Sequence, residues 1–589
     1  MSIIMMDHDE PDLVSLDAFR QLTASRKMAL QPDDEAAYYE LLKAADKCVK
    51  YVYKMPEYVD PRLVPDMVSG STREYSNPTN GSPGNPLGGW SHRTSIKSSK
   101  ALKNNLLEGK TVVAKDNILV AGIPLTIGTS PTHLSKDGKY PIPKIDAPVI
   151  QRVLESGATF TGTAVCENYC MSALSFTSAS GPVANPWLPR GPHGERYAYA
   201  CGGSSSGCGG LVAVNVVKKI RAKKGLPPVD IGDGADFALG GDQGGSIRLP
   251  AAYSGIYGLK PTHGLVPYTG IASLHPLIDH CGPMAGSVRD TALLLSVLSG
   301  YDGMDPRMTP ETPLRTCVPQ YHEILDKSIA DRSAAGTWTA TQAAKGLRVG
   351  VLKEGWEVPT ISPEVAAVTK AACQRFASLG GTVEEVSIPM HKLGPAIWTA
   401  ATRAQMIDSM TNMSPTLLSH TLPDLNPPVP DQDWYETMNK FNPAVVNVFF
   451  SGAYLSNPDL FPPAYQNKAM MHVHELRAAY DDALSKYDVL ITPATPTVAM
   501  QRNEKWHGGG VMGHLDLALG NNMNTGMFNV TGHPAMTMPI GWGKPREEGV
   551  AGKLPIAFQI VGKRFGESDT FLAAAAWEAG GLAYDEWEG

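Results

Sequence analysis

The sequence predicts an α/β protein, and three observations carry that expectation. From about residue 100 onward, short apolar runs of strand character alternate with stretches of helical periodicity. Two of the helical stretches end at a glycine stop, and one of these also has a serine cap at its start. No internal repeat at solenoid or propeller periods competes with a layered architecture.

The elements follow in chain order. Residues 13–30 and 33–53 carry apolar side chains at helical spacing, with Ala37, Leu41, Leu42, Ala45 and Val49 on one face of the second stretch. Residues 77–90 (NPTNGSPGNPLGGW) are rich in Gly, Pro and Asn and read as a linker. Residues 1–90 are therefore expected to form a helical N-terminal extension, with residues 91–589 as the main domain. Residues 111–114 (TVVA) read as a strand, and 148–156 as a helix closed by Gly157. Residues 347–352 (LRVGVL) are strand-like. The helix expected at 363–379 has Ser362 as its cap and Gly380 as its stop. A helix at 474–486 precedes a buried strand at 488–492 (DVLIT). The Pro-rich stretch 422–434 reads as a surface loop or cap element rather than a peptide ligand.

Bulk composition excludes several classes of function. The net charge of −7 argues against a nucleic-acid binder, which would present a basic face. Eight cysteines without a CxxC pair are too few for a disulfide scaffold and poorly spaced for zinc, so no metal is expected. His472 and His474, in HVHE, fall on different faces of a helix and do not make a metal pair. No window reaches the roughly 18 uninterrupted apolar residues of a membrane span, and no signal peptide is visible. A soluble cytoplasmic protein is the expectation.

The most unusual composition lies between residues 200 and 260. CGGSSSGCGG at 201–210 sets three serines among glycines, and GGDQGGSIRLP follows at 240–250. Ser/Gly clusters are often flexible linkers, but these are embedded in apolar segments, residues 211–217 on one side and 237–239 on the other. Glycine at such density suits a backbone that adopts positive φ or presents successive N–H groups to an anion. Lys115, in VVAKDNI, ends an apolar strand. Such a lysine usually points into solvent; buried and uncharged, it can serve as a base for a serine nucleophile.

These motifs, in this order, resemble the amidase signature family. VVAKDNI, GGSSSG at 202–207 and GGDQGGSIRLPA at 240–251 carry the resemblance. GTAVCENYCMS around Glu167, GPVANPW at 181–187, KPTHGLVPYTG at 260–270, DHCGPMAGSVRD at 279–290, DVLITPATP at 488–496 and FNVTGHPAMTMPIG at 528–541 extend it across roughly residues 90–575. The pattern is most similar to amidases found beside nitrile hydratases and to fungal amidase and urethanase relatives. The resemblance implies a large mixed β-sheet covered by helices on both faces, and a catalytic domain over 91–589. It makes Ser246 the nucleophile, Ser204 the bridging serine after a cis peptide bond, and Lys115 the ultimate base. The N–H groups of Gln243, Gly244, Gly245 and Ser246 would form the oxyanion hole, with Ser205 and Asp242 supporting the triad and Arg248 a structural charge beside Asp242. Glu167 would hold an acidic structural position, and His263, His280 and His533 would pack rather than act as bases.

The activity so implied is hydrolysis of small aryl or aliphatic amides, with carbamates (urethanes) or esters as further substrates, through an acyl-enzyme that water resolves. No cofactor, nucleic acid or membrane is implied, and a homodimer is. The alternative within the family is a glutaminase subunit of a tRNA-dependent amidotransferase, which the N-terminal extension and the DQGGS wording disfavour. The spacing from Ser204 to Ser246 exceeds the family pattern because of a basic insertion at 216–233, read as a solvated surface segment. The acyl pocket is expected from residues 168–180 and 430–454, the latter carrying Trp434, Tyr435, Phe441, Phe449, Phe450 and Tyr454.

Overall fold

The computed structural model describes residues 14–65, 73–98, 102–188, 199–411, 427–502 and 509–588. The chain falls into two compact units, Met1–Asp60 and Pro61–Gly589. In the smaller unit, helix Leu16–Ser25 is capped by the Ser15 hydroxyl, which accepts from the Ala18 N–H, and a second helix spans Pro32–Lys54 with proline in its first turn. Phe19 stacks against Tyr39, and Arg20 pairs with Glu35 across the two helices.

The larger unit is built on one mixed sheet, twelve-stranded among the described residues. Its strands are β1 (Tyr75–Ser76), β2 (Trp90–Ile96), β3 (Thr111–Lys115), β4 (Thr159–Ala164), β5 (Phe237–Asp242), β6 (Tyr257–Lys260), β7 (His280–Ala285), β8 (Arg348–Leu352), β9 (Thr382–Val386), β10 (Val489–Pro493), β11 (Ala535–Gly543) and β12 (Leu554–Val561). The spatial order is β1-β2-β4-β3-β5-β7-β6-β11-β12-β10-β8-β9. Parallel pairing joins β3 to both β4 and β5, and β8 to both β9 and β10; the other pairs are antiparallel. The central strands are buried on both faces, as the unbroken burial of β5, β7 and β12 shows, because helices cover the sheet on each side.

Most of the expected elements occur within a residue or two of their predicted bounds. Helix Pro148–Glu155 ends before Gly157, and helix Pro363–Ser378 begins at Ser362, whose hydroxyl accepts from the Val365 N–H. The helix before β10 is longer than expected, Ala464–Lys486. The proline-rich stretch divides differently: residues 422–426 lie outside the described residues, and Asp431 caps a helix, Gln432–Phe441, that includes Trp434. The expected linker is the clearest difference. Its second half, from Asn85 to Trp90, is buried. Asn85 Nδ2 donates to the carbonyls of Pro78 and Trp90, its Oδ1 accepts from the Trp90 N–H, and Trp90 opens β2. Turn composition suggests flexibility there, whereas one asparagine closes the turn onto the sheet edge.

The basic insertion extends helix Ser206–Lys223 and then returns as a loop. Lys218, Lys219 and Lys223 are exposed, Lys223 pairs with Asp585, and the Arg221 guanidinium lies over the Trp587 ring. No helix among the described residues is long and apolar enough to cross a membrane.

Core packing on the far side of the sheet centres on Trp577, whose ring meets Phe558 of β12 edge-on at 5.8 Å, while Phe558 stacks on Phe376. Trp577 Nε1 also donates to the Ala372 carbonyl at 2.9 Å. Replacing such a side chain leaves a cavity and an unpaired acceptor. Trp577→Ala is expected to lower unfolding free energy by about 3–5 kcal/mol, measured by urea denaturation; a loss below about 1 kcal/mol would contradict this packing account.

Candidate active site

Strand pairing assembles the site. β3 and β5 run parallel as neighbours, Ala114 beside Leu239, so their C-terminal ends lie at the same edge of the sheet. In open α/β sheets, that edge is where ligands bind. Lys115 is the last residue of β3 and Asp242 the last of β5. The turn 243–246 follows β5 directly, and helix Arg248–Ser254 follows the turn. The third segment, residues 201–205, crosses the same edge before helix Ser206–Lys223 begins.

Lys115 is fully buried, and its Nζ lies 2.8 Å from Ser204 Oγ and 3.4 Å from the Gly241 carbonyl. The Gly203–Ser204 peptide bond is cis. Gly203 is required here by space, since a Cβ would fall 2.4 Å from the carbonyl oxygens of Ser172 and Leu174. The Ser204 carbonyl accepts from the Glu167 N–H at 3.0 Å, and the Ser205 N–H donates to the Ser246 carbonyl at 3.2 Å, tying the serine segment to the turn after β5. Ser205 Oγ donates to the Gly241 carbonyl and accepts from the Gly241 N–H. Ser204 is fully buried, whereas Ser246 is partly exposed and lines a cavity of about 210 Å³. Of the three residues, only Ser246 faces that cavity.

Asp242 organises the turn. Its carboxylate accepts from the N–H groups of Gly245 (2.7 Å) and Ile247 (3.1 Å), from Arg248 through two nitrogens at 3.0 Å, and from Asn529 Nδ2 at 2.9 Å. Burial is the largest single influence and works against its charge, but Arg248, Asn529 and Lys260 together outweigh it and hold the carboxyl well below the usual range. Arg248 in turn donates to Gln559 and Asn529. Gly245 has φ +134°, and a Cβ there would meet Thr525 Oγ1 at 2.5 Å, so the turn admits only glycine.

This geometry corrects one expected detail. The Gly245 N–H is committed to Asp242 and is not free for an oxyanion. Among the described residues, no acceptor takes the N–H groups of Gln243, Gly244 or Ser246. The turn is clamped from outside by Trp398, whose Nε1 donates to the Gln243 carbonyl at 3.0 Å, and by Thr525, whose hydroxyl donates to the Gly244 carbonyl at 2.6 Å. Gln243 Nε2 donates to the Tyr268 hydroxyl at 2.7 Å.

Glu167 sits beneath the serine segment, fully buried. Its carboxyl accepts from the Thr177 N–H (2.7 Å), the Thr177 hydroxyl (2.6 Å) and the Ser206 hydroxyl (2.7 Å). Burial pushes it up to about 7 in spite of these donors and the nearby Lys115. His280 and His533 are buried and His263 half-buried, none of them lining the cavity, with ring nitrogens bonded to Ile278 O, Asp481 and Pro276 O respectively.

The cavity draws on both expected regions, Cys170–Leu174 with Thr177, and Asn442–Ala444 with Val448. The six aromatic residues of the second region are not among its lining residues. Trp434 and Phe449 pack against each other, with Trp434 buried, while Tyr435, Phe441, Phe450 and Tyr454 are exposed. The walls come instead from Trp398, Arg403 and Met406 on helix Gly394–Thr411, from Leu274, and from residues 514–522. Helical spacing in 394–411 would have marked a helix but not which neighbour its face meets.

A sequence profile of the Amidase family matches residues 92–219 and 232–571, and the unmatched residues between them fall inside the basic insertion. An enantioselective amidase of Rhodococcus rhodochrous is 35% identical over 517 residues, 86% of this chain and 85% of that protein. A glutamyl-tRNA(Gln) amidotransferase component of Methanosarcina barkeri is 30% identical over 481 residues, 81% of this chain and 85% of that protein. Among solved structures, the corresponding amidotransferase component of Thermotoga maritima superposes with a TM-score of 0.60 at 24% identity, covering 85% of this chain and 91% of that one. A bacterial aryl acylamidase of the amidase signature family superposes at 0.58 and 21% identity, covering 82% and 85%. These superpositions show the amidase signature fold.

The raised Glu167 carboxyl has a definite pH signature. Its folded value, about 7, exceeds the ordinary 4.5, so its contribution to stability is fully present below about pH 4.5 and is lost as pH rises through about 7. Glu167→Gln is expected to flatten that part of the decline in urea midpoint relative to the parent chain; parallel pH profiles would contradict it.

Proposed function

Because the chain belongs to the amidase signature family and is an amidase, we propose that it cleaves small aryl or aliphatic amides through Ser246, Ser204 and Lys115 and an acyl-enzyme intermediate. The observation that carries the reading is a gradient of burial from Ser246 inward, with the Lys115 amine hydrogen-bonded to Ser204 and the neighbouring Ser205 N–H bonded to the Ser246 carbonyl. Ser246 meets the cavity, while Ser204 and Lys115 lie behind it, fully buried and 2.8 Å apart. Such a gradient keeps substrate at the nucleophile and keeps bulk water from the base.

In the proposed reaction, the Lys115 amine takes the Ser204 proton as Ser204 takes that of Ser246. The Ser246 oxygen attacks the amide carbonyl. Charge developing on the carbonyl oxygen is met by the N–H groups of Gln243, Gly244 and Ser246, each such donor being worth about 3 kcal/mol in a water-poor site. The proton returns through Ser204 to the leaving nitrogen, the C–N bond breaks, and the amine departs. Water then enters, gives its proton by the same route, and releases the acid. Asp242 acts at one remove: by holding Gly245 and Ile247 it fixes the turn that presents the donors. The apolar walls, among them Leu174, Leu249, Leu274 and Met406, favour an apolar group next to the scissile carbonyl. Carbamates and esters of similar size present the same carbonyl and belong to the same reading.

The test is turnover of acetamide, benzamide, acyl anilides, ethyl carbamate and L-glutamine by the purified chain alone. Hydrolysis of a small amide or anilide without a second protein is expected. Ser246→Ala should lower kcat by about 10⁴-fold or more, and Lys115→Ala by about 10²–10⁴-fold, with Ser204→Ala also impaired. Full activity of Lys115→Ala, or strict dependence on glutamine and a partner protein, would overturn the proposal.

A further inference from the structure

The cavity contains one charged side chain that the proposed chemistry does not use. Arg403 lies on helix Gly394–Thr411, five residues after Trp398, and both line the cavity. No Asp or Glu is among the lining residues, and Arg403 is their only Lys or Arg. Its Nη1 donates to the Ser451 hydroxyl at 3.3 Å, and its Nε is buried without a hydrogen-bond partner among the described residues. Burial lowers its pKa, and among the described residues no neighbouring carboxylate raises it. A guanidinium remains protonated in proteins. The result is a cation facing a cavity whose other lining residues include no Asp or Glu, partly desolvated and without a counter-charge among the described residues, an arrangement that costs stability unless a ligand completes it.

We infer that Arg403 receives a carboxylate carried on the acyl part of the substrate, so that the enzyme prefers half-amides of short dicarboxylic acids to uncharged amides of the same shape. The inference rests on the proposed amidase reading and deepens it. Trp398 marks the nucleophile's end of the helix, because its indole holds the Gln243 carbonyl. Five residues of helix advance about 7.5 Å along the axis, so Arg403 stands farther along the same wall. A planar guanidinium binds a carboxylate through two parallel N–H bonds, and the unbonded Nε is one of its donors. An acyl chain of a few methylenes would lie along the apolar wall between the two ends.

The experiment compares matched pairs: succinamate with 4-methylpentanamide, glutaramate with 5-methylhexanamide, and adipamate with 6-methylheptanamide. Within each pair the carboxylate is replaced by an isopropyl group of similar shape. For at least one length, kcat/KM should favour the acid by about tenfold or more, and Arg403→Gln should lower that acid-to-isostere ratio by at least about tenfold. Arg403→Lys, which keeps the charge but loses the fork, should give an intermediate ratio. A parent-chain ratio at or below one for every length, with Ser246-dependent hydrolysis of the isosteres, overturns this inference alone. An unchanged ratio in Arg403→Gln does the same. Hydrolysis of neither member, in a folded chain, overturns the underlying amidase reading instead. The parent ratio decides the matter even if Arg403→Gln fails to fold.

Discussion

The site depends on the parallel pairing of β3 with β4 on one side and β5 on the other, which fixes the end of β3 in the middle of the sheet. A lysine there cannot snorkel to solvent, as a lysine at a sheet edge would. Its amine is held inside the protein at hydrogen-bond distance from Ser204. The segment carrying Ser204 is then tied to the turn after β5 by the Ser205–Ser246 backbone bond and to Glu167 by another. Three stretches far apart in sequence thereby converge through main-chain bonds, and side-chain placement follows from them.

A second constraint keeps the turn after β5 in shape. Asp242 and Arg248 form a fully buried ion pair, and every partner of the aspartate belongs to the turn, to the helix that follows it, or to Asn529. Buried pairs are weak evidence for stability taken singly, but removing one partner leaves an uncompensated charge. Here the pair has a positional consequence: two N–H groups of the turn point at Asp242, and those of Gln243, Gly244 and Ser246 are left for another acceptor. Trp398 and Thr525 take two of the turn's carbonyls, so its remaining freedom is small.

The parts legible in the sequence were those with a local cause. Ser362 and Gly380 bracket their helix because capping is a matter of a few neighbouring residues. The glycines of 240–245 announce a backbone that must approach other groups closely, and Gly245 proves to need both its φ and its missing Cβ. Lys115, Ser204 and Ser246 were nameable only through the co-linear motifs, since a lysine closing an apolar strand is ordinarily unremarkable by itself. What escaped were the encounters between distant segments. Asn85–Trp90 looks like a linker until Asn85 is seen closing it onto β2. Gly245 looks like an oxyanion donor until Asp242 is seen taking its N–H. Aromatic density at 434–454 is compatible with a pocket or with ordinary packing, and the wall draws instead on Trp398, Arg403 and Met406, from a helix with no unusual composition.

The central claim is that Ser246, and not the deeper Ser204, forms the covalent bond to substrate. The most direct measurement is peptide mass spectrometry of the enzyme quenched in acid during steady-state turnover of an acyl anilide or activated ester. The account predicts an acyl mass on the peptide containing Ser246 that vanishes on prolonged incubation. An acyl group on Ser204, or on a peptide outside this site, would contradict it.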